Sequence, residues 1–195
     1  MISTEKFNKA IQLFDEANAL DPNKEIFKGK EYPKELLYAI RMTERLHKFM
    51  PSPSEALKLT VRCQHICRWE IPRDSYEMNR VGYLKWRQDL KHFHSKKATD
   101  ILMKVGYGDE MRHQVEKLLL KKDLKKSAET QTLEDVVCLV FLEFYFLKFS
   151  KKYAEAKLIE IVQKTWKKMS AEGHKAALEL ELPKKALSLI SKALS

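Results

Sequence analysis

The sequence is poor in the residues that interrupt or cross-link a chain. Only 5 glycines, 6 prolines and 3 cysteines occur among its 195 residues. Few helix breakers and no strong strand-like alternation favour helices throughout. An odd and small number of cysteines argues against a disulfide framework. Cys63 and Cys67 are four residues apart without a second pair, so we expect buried thiols and not a four-ligand zinc site.

Long apolar runs and the loop motifs of common enzyme classes are also missing. No window holds 18 uncharged apolar residues, so we expect no transmembrane helix and no membrane partner. Residues 1–14 lack the apolar core of a signal peptide, and we therefore expect a cytoplasmic location. The motifs of P-loop nucleotide binders, dinucleotide-binding folds, serine hydrolases and HExxH zinc proteases do not occur, which excludes those classes.

The charge balance is strongly positive. Lys and Arg number 37 against 27 Asp and Glu, which gives a net charge of +10. Such a charge attracts polyanions and phosphates, but lysines spread along a chain are also typical of a solvated surface. Both interpretations stay open.

Apolar residues at helical spacing predict a single compact all-α domain of eight or nine helices over residues 1–195. A capping box at Ser52–Glu55 opens a helix that we expect to run to about Trp69. Another box at Thr132–Asp135 precedes VVCLVFLEFYFLKF, the most apolar segment and the predicted central helix. The stretch KEIFKGKEY is predicted as a polar connection, and Ser170 as the cap of a short helix.

Residues 62–94 hold an unusual density of Arg, His and aromatic side chains. Asn79 is expected to cap a long helix from Arg80 to about Val105, which Gly106 ends. At about 100° per residue, one face of this helix combines cations, rings and apolar residues. Its members are Arg80, Tyr83, Arg87, Leu90, His94 and Ile101.

Four arginines lie in or beside the junction between the preceding loop and this helix. Guanidinium groups match phosphate or carboxylate, and a helix start presents unpaired N–H groups to an anion. Aromatic residues among arginines either stack a nucleobase or fill the core. An internal ion-pair network with Glu70 or Glu77 is the alternative. The predicted ligand site consists of Arg68, Trp69, Arg73, Arg80, Tyr83 and Arg87.

Three further residues are candidates for catalysis or metal binding. Glu143 is the only charged residue between Asp135 and Lys148, and a buried carboxylate needs a cation, a metal or a hydrogen-bond donor. It either pairs with an arginine or serves as a metal ligand or general base. His65 and His94 would supply imidazoles able to bind a metal or accept a proton.

Several stretches closely resemble the uncharacterised family catalogued as domain of unknown function 4202. They are CQHICRWEIPRDSY, RVGYLKWRQDLKHFH, ILMKVGY and QTLEDVVCLVFLEFYF. The resemblance covers nearly the whole chain and implies no activity, because the family has none assigned.

A more distant resemblance is to HD-type metal phosphohydrolases. ALKLTVRCQHICR resembles the helix that ends in their His-Asp pair, with Gln64 and His65 at those positions. His94 resembles the later His and Glu143 the late acid. The first His has no clear match, and Tyr38 or Arg41 stands in that region. The resemblance implies an HD-like arrangement, and either a pseudoenzyme or one divalent metal ion held by His65, His94 and Glu143.

Two functions and one structural alternative follow. The first is an HD-like domain that binds a phosphate-bearing small molecule, with a nucleotide as one candidate, and acts as a metal-dependent phosphohydrolase. The second is a non-enzymatic RNA- or protein-binding module that uses the basic surface. In the structural alternative, the polar face is only an internal network.

Overall fold

In this computed structural model, the backbone is described for residues 2–194 and the side chains for residues 4–194. The described chain is mainly helical, which confirms the predicted all-α class. Its α-helices are α1 (Ile2–Ala19), α2 (Lys34–Phe49), α3 (Glu55–Cys63), α4 (Arg80–Val105), α5 (Asp109–Leu119), α6 (Ala128–Val140), α7 (Phe146–Ser150), α8 (Glu155–Trp166), α9 (Ala171–Leu178) and α10 (Lys184–Leu194).

A short β-hairpin replaces the predicted polar connection after α1. Strands β1 (Lys24–Phe27) and β2 (Lys30–Pro33) pair antiparallel. Lys28 and Gly29 between them have φ values of 50° and 76°, as expected for the two-residue turns that match strand twist. Each strand has four residues and alternates weakly, so periodicity alone did not predict it.

The chain forms two compact units, Met1–Lys122 and Asp123–Ser195. In the first unit, α3 packs against α1, α2 and α5, and α4 packs against α1 and α5. In the second unit, α10 packs against α8 and α7, and α6 against α9. The single domain predicted over residues 1–195 stays a prediction.

The helix predicted to end near Trp69 ends earlier, at Cys63. Cys67 adopts a left-handed conformation with φ of 52°, and its backbone N–H donates to the Asn18 side chain at 3.0 Å. This bond comes from α1 and interrupts a sequence that would otherwise continue as helix. The predicted cap at Ser52 was also wrong, because Ser54 accepts the N–H of Leu57.

Both predicted ends of α4 are confirmed. The Asn79 side chain accepts the N–H of Gly82 at 2.8 Å, and Gly106 ends the helix with φ of 89°. Gly82 also permits the preceding loop to pack on the helix. A Cβ atom at this position would lie 2.2 Å from the backbone oxygen of Glu77.

The capping box predicted at Thr132–Asp135 was wrong. The helix begins at Ala128, where Ser127 accepts the N–H of Thr130. Asp135 lies buried within α6, and there it accepts the backbone N–H and the hydroxyl of Ser170 at 2.8 and 2.7 Å. Ser170 in turn caps α9, as predicted.

The predicted central helix is interrupted near its middle. A π-helical turn, Phe141–Tyr145, separates α6 from α7.

None of the helices in the described chain combines the length and apolar character that a bilayer crossing requires. The three cysteines are buried free thiols, as expected from their spacing.

Candidate functional site

The first unit brings His65 and His94 together. Their ring centroids are 5.8 Å apart, and the His65 ring stacks on Tyr38 at 4.0 Å. The His65 side chain retains 24% of its exposure, whereas His94 is 4% exposed. His65 is therefore the member of the pair that a dissolved molecule reaches.

His94 presents an unpaired nitrogen beside His65. Its Nδ1 lies 2.8 Å from the Ile66 carbonyl oxygen, which only accepts, so Nδ1 donates and Nε2 carries the lone pair. This Nε2 is buried and has no hydrogen-bond partner among the described residues. Burial lowers the pKa of His94 to about 3, with His65 and Arg68 adding to the effect. The imidazole is therefore neutral at pH 7.

Glu35 supplies the acid next to these histidines. Its Oε2 lies 3.4 Å from His65 Nδ1. Burial raises the pKa of Glu35, and the positive charge of Arg68 opposes that rise. The backbone N–H of Glu35 donates to buried Asp21 at 3.0 Å, which fixes the start of α2. Sequence reasoning missed Glu35, because an acid in a first helical turn is already expected from the helix dipole.

Positive charge gathers around His65. Burial lowers the pKa of His65 well below its usual value, and four cations lower it further. In order of effect they are Arg68, Lys121, Lys34 and Arg87. Lys34 and Lys121 were not predicted as site residues, because lysines are common on every helix surface of this chain.

Aromatic rings hold two of these arginines. The Arg68 guanidinium lies 4.7 Å from the centre of the Trp86 ring, and burial lowers its pKa while Glu35 opposes that effect. Arg87 lies 5.8 Å from the Tyr83 ring. Trp69 is half-buried in the same 3₁₀ turn as Arg68, residues 68–70. Stacked guanidiniums are pre-organised for planar anions.

The other two predicted arginines lie in different surroundings. Arg73 donates to the backbone oxygens of Tyr76, Glu77 and Asn79 at 3.1, 2.6 and 3.2 Å, so it fixes the loop before α4. Arg80 is exposed in the first turn of α4. Anion binding by these two arginines stays a prediction.

The carboxylates of the alternative ion-pair network have other partners. Glu70 accepts from Lys97 at 2.7 Å, and the Glu77 side chain accepts from Asn79 at 2.8 Å. Neither bond involves the arginines around His65.

The family model described as Domain of unknown function (DUF4202) matches residues 8–190. The chain belongs to this family. No curated protein and no solved structure matches the chain. The residues described around His65 are here called the His65 cluster: Lys34, Glu35, Tyr38, His65, Arg68, Arg87, His94 and Lys121. In this DUF4202 protein, the matched region includes all of them. The resemblance to HD-type phosphohydrolases stays a prediction.

Glu143, the third predicted metal ligand of this DUF4202 protein, belongs to the second unit. It is half-buried in the π-helical turn Phe141–Tyr145, and such turns are frequent at functional sites. Within the described residues, no three His, Cys, Asp or Glu side chains are grouped closely enough to hold a metal ion. The single divalent metal ion therefore also stays a prediction.

Proposed function

We propose that the first unit binds a phosphate-bearing small molecule, with a nucleotide as one candidate, over the partly exposed ring of His65. The gathering of cations around this neutral imidazole carries the proposal. Arg68 and Lys121 are partly buried, whereas Lys34 and Arg87 are exposed. Like charges near one another repel, and a bound anion offsets that cost. The cations are Arg68, Lys121, Lys34 and Arg87.

The surroundings of this cluster also support anion binding. Arg68 is held against the Trp86 ring, so little side-chain freedom is lost when its guanidinium bonds a phosphate. The acid of the cluster, Glu35, is buried and has a raised pKa.

The proposal extends to hydrolysis, because His65 offers a neutral imidazole at the exposed end of the cluster. A bound anion would offset the cations that lower the pKa of this imidazole, and it would so favour the transfer of a proton from an attacking water molecule to His65. Tyr38 under the ring and Glu35 beside Nδ1 hold the imidazole in position. In a finer form, an HD-like phosphohydrolase, His65 and His94 of the first unit would instead be ligands of one divalent metal ion. When bound, such an ion supplies an acidified water molecule and polarises the phosphoryl oxygen.

The two neutral imidazoles fit part of the ligand set of such an ion. The Nε2 lone pair of His94 is unpaired and its Nδ1 is held by a carbonyl oxygen, as is usual for metal-binding histidines. Catalytic zinc sites use about three protein ligands, so two imidazoles are not sufficient by themselves. Elemental analysis of the purified protein tests whether an ion is present.

Arg87→Gln is expected to weaken phosphate-ligand binding about tenfold, since a charge-assisted bond contributes roughly 1.5–3 kcal/mol. Arg80→Gln is the matched control: it lies in the same helix, is also exposed, and is not among the cations that act on His65. Calorimetric titration with inorganic phosphate and nucleoside mono-, di- and triphosphates measures both.

Equal effects of Arg87→Gln and Arg80→Gln, or no ligand bound from the whole panel, would contradict the proposed site. A steep fall of affinity with salt across many contacts would instead indicate a nucleic-acid surface. A pocket that relies on one or two arginines gives a shallower salt dependence.

His65→Gln is expected to lower any phosphate release by about 100-fold or more while ligand affinity changes little, since an amide does not take up a proton. His113→Gln, at an exposed histidine of α5, is the control. Release that survives in His65→Gln would exclude His65 as the proton acceptor. If the ligand binds and no phosphate is released, the proposed binding site stands and the proposed hydrolysis is refuted.

A further inference from the structure

Several apolar side chains are exposed in the first turns of α4 and just before the Asn79 cap. Met78 is 78% exposed, Val81 72%, Leu84 55% and Tyr83 43%. Between Arg80 and Leu90, only Gly82 and Leu90 are buried. We name residues 78–88 the α4 head. A group of exposed apolar residues on a surface that also carries charge is typical of an interaction site.

The α4 head is rigid in spite of its exposure. Besides the Asn79 cap, the Tyr76 hydroxyl donates to Asp89 at 2.9 Å, and the Trp86 indole N–H donates to the Ile71 oxygen at 2.9 Å. Arg73 adds its three bonds to the loop backbone. A pre-ordered surface loses little conformational entropy on binding.

The charge of the α4 head is of one sign. The sequence MNRVGYLKWRQ contains three cations and no Asp or Glu. Arg80, Lys85 and Arg87 are all exposed and alternate with the apolar side chains. An apolar centre with a positive rim is complementary to a partner that is apolar in the middle and acidic around it.

We propose that the α4 head docks an acidic amphipathic segment of a protein partner. Met78, Val81 and Leu84 are aliphatic, and aliphatic side chains gain stability only where a partner covers them with its own apolar surface. Single-stranded RNA would instead require exposed rings for its bases, and Tyr83 is the one such ring among the exposed apolar residues of the head. An amphipathic helix with acidic flanks meets both requirements.

The test measures, by fluorescence anisotropy, how tightly synthetic peptides bind to the full chain. The peptides have 18 residues, about five helical turns. One peptide contains Glu and Leu with Leu at helical spacing, and a second has the same composition in scrambled order. We expect the amphipathic peptide to bind at least about tenfold more tightly, because only it presents a continuous apolar face. A Lys and Leu peptide and a uridine 12-mer are the charge and RNA comparisons.

The double variant Val81→Ser with Leu84→Ser is expected to weaken peptide binding at least about tenfold, because it removes two of the aliphatic side chains that the partner would cover. Leu20→Ser with Leu178→Ser is the matched control, at side chains that are 77% and 68% exposed. Arg80→Gln should weaken binding about threefold through the acidic flank.

Three outcomes would overturn the proposal. They are equal binding of the scrambled peptide, no effect of the double variant, and preferential binding of the uridine 12-mer that the double variant removes. A dimer of the protein that dissociates in the double variant would assign the head to a second copy, which also overturns it. The double variant leaves the His65 cluster unchanged, so retained phosphate-ligand affinity separates this proposal from the proposed function.

Discussion

Acidification below about pH 6.5 is expected to destabilise the first unit, because His65 and His94 are held as neutral imidazoles. Both pKa values lie below the usual histidine value, so the unfolded chain binds more protons than the folded one. The stabilisation is therefore complete above about pH 6.5 and is lost as pH falls towards the folded-state values. For His94, with a folded pKa of about 3, the loss by pH 4.5 is about 2 kcal/mol.

Urea unfolding at pH 6.5, 5.5 and 4.5 measures this loss. In a Trp166→Phe chain, Trp69 and Trp86 report only on the first unit. His94→Asn should flatten the pH dependence, because an amide does not titrate but can still donate to the Ile66 oxygen. His113→Gln should leave the dependence unchanged, and an unaltered slope in His94→Asn would refute the explanation.

Glu35 acts in the opposite direction. Its folded-state pKa is raised, so through this residue the folded chain binds more protons than the unfolded one as pH falls towards the carboxyl range. Acidification therefore stabilises the fold through Glu35 and offsets part of the loss from the histidines. Glu35→Gln should make the loss of stability below pH 6.5 steeper.

Asp135→Ala is expected to lower the free energy of unfolding of the second unit by about 3 kcal/mol. The carboxylate is 1% exposed, and it accepts the Ser170 N–H, the Ser170 hydroxyl and the Gln131 amide. Its removal takes the acceptor from the part-buried N–H and hydroxyl of Ser170, and bonds to charged groups contribute roughly 1.5–3 kcal/mol. Asp135 in α6 lies close to Gly173 in α9, since a Cβ atom at Gly173 would be 2.5 Å from Asp135 Oδ1.

Hydrogen exchange over residues 128–194 measures the stability of the second unit separately from that of the first. Glu172→Ala is the control, because it removes an exposed carboxylate from the first turn of α9. We expect a change of about 0.5 kcal/mol or less there. If Asp135→Ala cost no more than Glu172→Ala, the bond to Ser170 would not hold α9 on α6.

Local signals predicted helix ends well where a side chain satisfies its own backbone. Asn79, Gly106 and Ser170 act as predicted, because their partners lie within a few residues. The same signals failed at Ser52 and Thr132, where Ser54 and Ser127 cap instead. Neighbouring Ser and Thr residues are chemically similar, so a capping pattern alone does not choose between them.

The candidate site was predicted in part. His65, His94, Arg68 and Arg87 were singled out because imidazole and guanidinium groups are unusual at such density, and the structure places all four in one region of the first unit. Glu35 was missed because its ordinary role at a helix start hides it in the sequence. The same pattern favoured Arg73, whose bonds to three backbone oxygens no periodicity reveals.

By itself, the sequence determined the all-α class and both ends of α4, since composition, periodicity and local capping act over short stretches of chain. The DUF4202 family was recognised from the resemblance of whole stretches of sequence, and the family model confirmed it. Only the tertiary structure decided where the third helix ends and which cations lie near His65. The Asn18 bond that ends the helix spans 49 residues, and the bond from Ser170 to Asp135 spans 35. Contacts at such separations depend on how helices pack, which no local pattern encodes.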